Sequence, residues 1–299
     1  MTDPRARAPA MDRWEDSSSR PWGGVGPAVE PVATPVNGNR HRLAQLVRTI
    51  EAEVVPRLVL ARRAAATAEA AEATGGTPPM ASDVTTLAQH LVADDQAGAR
   101  ALVEAVMARG ASTEAVYLGL LTGAARLLGQ WWEEDRASFT DVTIGLCRLH
   151  ALLHELSASF MAEGGHVEHG RRALLVPVPG EQHTFGLLMV AEFFRRAGWV
   201  VSCAPSASII ELTRQVRSEW FAVAGFSASS QTKLDDLAHC IRSVRRASRN
   251  QALGVLVGGP IFIEHPELVA RVGADATAVD GRQAALQAHN LLALLAPAS

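Results

Sequence analysis

The sequence has no closely spaced pair of cysteines. Its three, Cys147, Cys203 and Cys240, are scattered. Neither a disulfide framework nor a Cys-x-x-Cys site is therefore available, and a reducing compartment suits them. There is no apolar run long enough to span a bilayer, and no apolar signal core near the first residues. There is also no excess of one charge: 28 Lys and Arg stand against 31 Asp and Glu, a formal net charge of -3. Bulk electrostatics thus argues against a dedicated nucleic-acid binder. Together these absences predict a soluble, cytoplasmic protein.

What is present divides into four pieces. The 299 residues, 48% of them hydrophobic, are enough for two ordinary domains. Residues 1–38 are rich in Pro, Gly, Ser and Ala without periodicity and read as a disordered tail. Trp14 and Trp22 there either anchor a partner or are stray aromatics, and the composition favours the second. Residues 39–80 read as a helix and a linker. Leu43, Leu46, Val47, Ile50 and Val54 keep helical spacing, Pro56 kinks or ends the helix, and Gly-Gly and Pro-Pro close the stretch.

Residues 81–165 carry four amphipathic segments with short connections, which predicts a four-helix bundle. Gly110 is placed to stop the second helix, and Ser112 and Thr140 to cap the third and fourth. Residues 170–299 alternate five short apolar strands ("ALLVPV", "WVVSCA", "FAVAGFS", "LGVLVGG" and a weaker "ADATAV") with helices. That rhythm predicts an α/β domain with a doubly wound, parallel, flavodoxin-like sheet.

Ligands in such sheets bind beyond the carboxyl ends of the strands, at the switch point. There this sequence places Glu181-x-His183-x-x-Gly186 after the first strand. Ser227 and Ser229 follow the third strand, and Gly258 and Gly259 the fourth. Small residues leave a slot between sheet and helices, and a histidine stands above the first strand. The pattern suits a large flat ligand with a tail and a group that a histidine can grip.

Taken together, Glu181-Gln182-His183-Thr184-Phe185-Gly186, Ser227-Ala228-Ser229 and Gly258-Gly259 resemble the cobalamin-binding domains of methionine synthase, the B12-dependent mutases and the B12 photoreceptors. The resemblance implies that His183 replaces the dimethylbenzimidazole base below cobalt. It also implies that Glu181, in place of the commoner Asp, orients the imidazole. The displaced nucleotide tail would run into the slot. The four-helix segment resembles the cap that covers the upper face of the corrin in methionine synthase and the CarH-type photoreceptors. Those photoreceptors carry Trp-x9-Glu-His in the cap. Here Trp131 and Trp132 stand at the tryptophan's place, and counting on from Trp131 reaches Asp141-Val142 instead of Glu-His. Hydroxo- or aquocobalamin is therefore expected in preference to the adenosyl form. Either tryptophan can equally be core packing at a helix end.

His150 and His154, four apart on the fourth bundle helix and sharing a face with Cys147, either face a polar seam or place one of the two above the corrin as an upper cobalt ligand. As a zinc pair they lack an evident third ligand. The winged helix-turn-helix of the CarH type has no counterpart. Instead, "RLAQLVRTIEAEVVPRLVLARR" and "WWEEDRASFTDVTIGLCRLHALL" look like the AerR/PpaA-type antirepressors of photosynthetic bacteria. This resemblance implies a non-enzymatic, light-responsive transcriptional regulator that binds a repressor protein. The alternative is the corrinoid shuttle of a methyltransferase system, which has little use for the extra helix and tail. Direct, specific DNA binding is not expected: Arg242, Arg245, Arg246 and Arg249 read more simply as a solvated helix face.

Overall fold

The computed structural model describes residues 77–163, 171–181 and 183–295, and the readings made for residues 1–76, Trp14 and Trp22 among them, lie outside these. All described residues fall within one compact unit, Thr49–Ser299. The first helices are α1 (Ala81–Val92) and α2 (Gln96–Ala108). The third, α3, is one rod that runs from Thr113–Ala115 through a π-helical stretch, Val116–Leu121, to Thr122–Glu133. The fourth, α4, spans Phe139–Ala162.

Gly110 ends α2 as expected. At φ +98° it donates to the Met107 carbonyl while Ala111 donates to Val106, the double bond of a Schellman cap. Ser112 caps α3 by accepting from the Ala115 N–H. Thr140, in contrast, is not a cap. Ser138 holds that position, accepting from the Asp141 N–H while the Asp141 carboxylate accepts from the Ser138 N–H. The hydroxyl that opens α4 stands three residues before its donor, and Thr140, two residues after Ser138, is already inside the helix. Asp141 is thus engaged in capping the helix.

The sheet follows: β1 (Arg172–Pro177), α5 (Phe185–Arg196), β2 (Val200–Cys203), α6 (Ile209–Ser218), β3 (Val223–Ser227), a 3-10 turn (Gln231–Lys233) and α7 (Leu234–Ala247). Then come β4 (Gly254–Gly258), α8 (Pro260–Glu264), α9 (Leu268–Val272), β5 (Ala276–Thr277) and α10 (Gly281–Leu295). All five strands are parallel, in the order β2-β1-β3-β4-β5, the flavodoxin-like arrangement with its switch point between β1 and β3. The short α8 was not anticipated. Its signal is Pro260, which supplies a helical φ at the first position.

The helix α5 joins the two halves. Leu187, Ala191 and Phe194 pack on the sheet with Ala173 and Leu175. Phe185, Met189 and Phe193 complete the core of the helical cap. The sole tyrosine, Tyr117, stacks on Phe160 at 4.1 Å and meets Phe193 edge-on at 6.2 Å. Its hydroxyl donates to the Leu153 carbonyl at 3.2 Å. Polar contacts flank this seam. Ser157 donates to the buried Glu192 at 2.5 Å, and Arg196 reaches Glu114 at 3.1 Å and Glu163 at 3.4 Å.

These contacts also set the direction of α4. His150 meets Phe185, Ser157 meets Glu192, Phe160 meets Phe193 and Glu163 meets Arg196. The two helices therefore run the same way. The eleven residues of α4 before His150 project past the start of α5 by about 16 Å at 1.5 Å per residue. The first turns of the cap's last helix thus overhang the carboxyl edge of the sheet.

Candidate cofactor site

At that edge β1 gives way to a tight turn. Val178-Pro179-Gly180-Glu181 is a type II turn, with Gly180 at φ +80° and the Glu181 N–H donating to the Val178 carbonyl at 2.9 Å. Proline fixes the first corner and glycine permits the second. The Pro-Gly pair is the sequence signal for it. The turn delivers Glu181 to the mouth of β3.

There the carboxylate is saturated with donors. Oε2 accepts from the Ser229 backbone N–H at 2.9 Å and from the Ser229 hydroxyl at 2.6 Å. Oε1 accepts from the His183 N–H at 2.9 Å and lies 2.6 Å from His183 Nδ1. Burial pushes the Glu181 carboxyl up, but these hydrogen bonds from Ser229 and His183 outweigh it and hold it at about 2. An ionised carboxylate only accepts, so His183 Nδ1 carries the proton. The neutral ring then keeps its lone pair at Nε2. The Glu181 side chain is 4% exposed and that of His183 is 74% exposed, so an anchored carboxylate aims an open imidazole outward. This is the arrangement by which a second group fixes the tautomer and orientation of a metal-binding histidine.

The remaining edge leaves room beside it. Ser227 pairs with Gly258 across β3 and β4, and its hydroxyl is buried without a partner among the described residues. A Cβ placed on Gly258 or on Gly186 would meet nothing within 4 Å. Gly259, at φ +115°, sits against the Ala228 carbonyl, where a Cβ would come within 2.0 Å of the oxygen. An orphaned hydroxyl and two glycines facing open space fit a polar ligand tail that enters beside β3 and β4. Lys233, the chain's single lysine, was not singled out in the sequence. Its Nζ lies 3.0 Å from where a Gly180 Cβ would stand, so the ammonium rests against the turn.

The cap residues separate. Trp131 is 8% exposed and packs in the bundle core under Arg136, at 5.3 Å, with its Nε1 buried and without a partner among the described residues. Trp132 is 49% exposed. His154 is exposed, whereas the His150 ring packs edge-on against Phe185 at 5.1 Å with its Nε2 buried and without a partner among the described residues. Burial lowers the His150 pKa against an opposing backbone contact with Leu146, which favours neutral imidazole. Cys147 is exposed, and no cluster of three metal-ligating side chains exists among the described residues, so the histidine pair does not build a zinc site there. Phe139 was missed by the sequence reading. It stands seven residues before Leu146 and eleven before His150, on the same helical stripe of the overhang, and is 67% exposed.

A carboxylate-oriented histidine at the switch point, with a small-residue slot beside it, defines a corrinoid-type binding domain. Residues 171–288 match the family model of the B12 binding domain. A Rhodobacter capsulatus protein, described as an uncharacterized 20.5 kDa protein in the bchF-crtJ intergenic region, is 34% identical over 152 residues. The match spans 51% of this chain and 79% of that protein. The monomethylamine corrinoid protein of Methanosarcina barkeri is similar in structure, with a TM-score of 0.57 and 15% identity. That match covers 69% of this chain and 96% of the other. The chain belongs to the B12-binding-domain family. No described helix is long and apolar enough to cross a membrane.

The folded state itself offers a test of the Glu181 network. A carboxyl held at about 2 instead of its ordinary 4.5 contributes about 3 kcal/mol to folding. Because the folded pKa is the lower one, that contribution is complete above about pH 4.5 and is lost as the pH falls towards 2. Urea midpoints of the cofactor-free protein and of Glu181→Gln should therefore differ most at neutral pH and converge between about pH 4.5 and 2. Curves that stayed parallel through that window would show that the carboxylate is not held by these donors.

Proposed function

We propose that this chain binds cobalamin and acts as a light-responsive transcriptional regulator by engaging a DNA-binding repressor protein. The observation that carries the reading is the Rhodobacter capsulatus relative, whose gene lies between bchF and crtJ in a photosynthesis gene region. In this reading His183 Nε2 is the lower ligand of cobalt and Glu181 orients its ring. Gly186, Ser227, Ser229, Gly258 and Gly259 receive the nucleotide tail. Bound cobalamin supplies light absorption and a cobalt whose upper ligand exchanges. His150, whose Nε2 has no partner among the described residues, is the better of the two cap histidines for the upper side, and Trp132 and Phe139 are exposed apolar side chains of the cap. The cytoplasm is the proposed location.

Asp141 and Val142 stand where CarH-type proteins carry the acidic and basic pair that accompanies adenosyl binding, and Asp141 is engaged in capping α4. Hydroxocobalamin should therefore bind at least as tightly as adenosylcobalamin, and His150→Ala should weaken the hydroxo form alone. Absorption titrations with both forms check this, and a clear preference of the unmodified protein for the adenosyl form would contradict it.

The regulatory step is tested with a purified DNA-binding repressor as the proposed partner. Dark and illuminated samples should differ in repressor affinity. Deleting residues 1–61 should leave cobalamin binding intact while lowering that affinity at least about tenfold, or about 1.4 kcal/mol. Unchanged, cobalamin-dependent binding by the truncated chain would move the contact to the cap or sheet. Methyl transfer to or from the bound corrinoid, without any light-dependent change in partner affinity, would establish the methyltransferase shuttle instead.

A further inference from the structure

The layer of helices on the side of the sheet away from the cap carries a charge pattern that the cofactor site does not use. Leu212 and Val216 of α6 and Leu237, Ile241 and Val244 of α7 face the sheet. Their opposite faces present Arg214 and Arg217 on α6 and Arg242 and Arg246 on α7, with Arg249 just beyond it, all exposed. The Arg249 N–H donates to the Val216 carbonyl at 2.8 Å, which locks the lower ends of the two helices together and brings the arginines into one patch. None of the five has a carboxylate within ion-pair distance among the described residues. Arg245, which the sequence grouped with them, is turned away: it donates to the Leu253 carbonyl at 2.8 Å and to Asp275 at 2.7 Å. Of the acidic residues of these helices, Glu211, Asp235 and Asp236 stand in the first turns, Glu211 one turn before Arg214, and Glu219 at the C-terminal cap of α6 is held by Arg172.

We infer that this arginine face contacts the phosphates of duplex DNA, without reading its sequence. The dimensions agree. Arg242 to Arg249 spans seven residues, about 10 Å of helix, and adjacent helices pack about 10 Å apart. Duplex DNA carries one charge per about 1.7 Å of its axis, both strands counted, so about six phosphates lie within that length of duplex on its two strands together. Guanidinium groups match phosphate oxygens in pairs. A protein interface of this size would place an apolar or aromatic anchor at its centre. Here the exposed Ile210 lies at the far end of α6, and the exposed Trp220 lies past its last turn, at the edge of the arginine face and not at its centre between the two helices. The net charge of -3 makes the contact weak for the free chain. It would add to a complex already held on DNA by a partner, a setting that rests on the proposed function.

The experiment uses the full chain with bound hydroxocobalamin and a fluorescein-labelled random-sequence duplex, read by fluorescence anisotropy from 20 to 200 mM KCl. Five phosphate contacts give a log–log salt slope of about −4.5, roughly a 500-fold loss of affinity between 50 and 200 mM. The Arg242→Gln/Arg246→Gln/Arg249→Gln variant should reduce the slope to about −2, while Arg126→Gln on the cap should leave it unchanged. No binding at 20 mM KCl, or equal slopes for all three proteins, overturns the proposal. So does tighter binding of poly-L-glutamate than of DNA at equal charge concentration, which would assign the face to an acidic protein surface. The cobalamin spectrum, recorded on every sample, shows whether each variant is folded. Because no repressor is present, failure here leaves the regulatory reading to be judged by its own light-dependent assay.

Discussion

Replacing His183 with alanine is expected to lower cobalamin affinity at least about 100-fold and to remove the base-off, histidine-ligated spectrum. The magnitude follows from position. Losing a group that merely orients a metal-bound histidine commonly costs 10- to 100-fold, and His183 is the proposed ligand itself. In the folded protein its Nδ1 is committed to Glu181 at 2.6 Å, its ring is largely exposed, and its Nε2 has no partner among the described residues. The substitution removes no core packing, so the melting temperature of the cofactor-free protein should move little. Equilibrium dialysis and absorption spectra with hydroxocobalamin check both statements. A variant that still showed the histidine-ligated spectrum would remove His183 from the site and with it the assignment of the tail slot.

The two adjacent glycines after β4 should behave oppositely. Gly259→Ala combines a backbone at φ +115° with a Cβ 2.0 Å from the Ala228 carbonyl oxygen. Neither atom belongs to a flexible side chain, so β3 and β4 must separate at their carboxyl ends. A loss of about 4 kcal/mol or more is expected, seen as a marked fall in the urea midpoint and poor recovery of folded protein. Gly258→Ala meets nothing within 4 Å. It should leave the urea midpoint within about 0.5 kcal/mol of the parent while weakening cobalamin binding, because the added methyl occupies the slot. The pair thus separates a glycine needed by the backbone from one needed by the ligand. Equal stability of the two variants would show that the close approach of Gly259 to Ala228 is not a constraint in solution.

The change of rhythm at residue 172 was legible because it is set by local rules. Continuous apolar runs of four to seven residues suit strands buried on both faces, and the intervening segments bury one stripe only. The resemblance to cobalamin domains rested on residues that the fold then gathers: Glu181, His183, Ser227, Ser229, Gly258 and Gly259 all stand on one edge. Short range also explains the accurate stop at Gly110 and the cap at Ser112. Thr140 failed for the same reason in reverse. Ser138, Thr140 and Asp141 are all plausible capping residues within four positions, and only the backbone decides which hydroxyl meets which N–H.

The sequence by itself determined the alternation of elements, the turn at Pro179-Gly180, and the order in which the site residues arrive at strand ends. These depend on side-chain periodicity and on φ preferences, which act over a few residues. Only the tertiary structure decided that Glu181 spans from β1 to Ser229 beyond β3, a separation of 48 residues, and so stays ionised although its side chain is buried. Likewise, only the packing of α4 along α5 distinguished His150 from His154 and put Phe139 over the edge of the sheet. A helix presents several equally regular faces, and which one is buried is settled by the neighbour it meets.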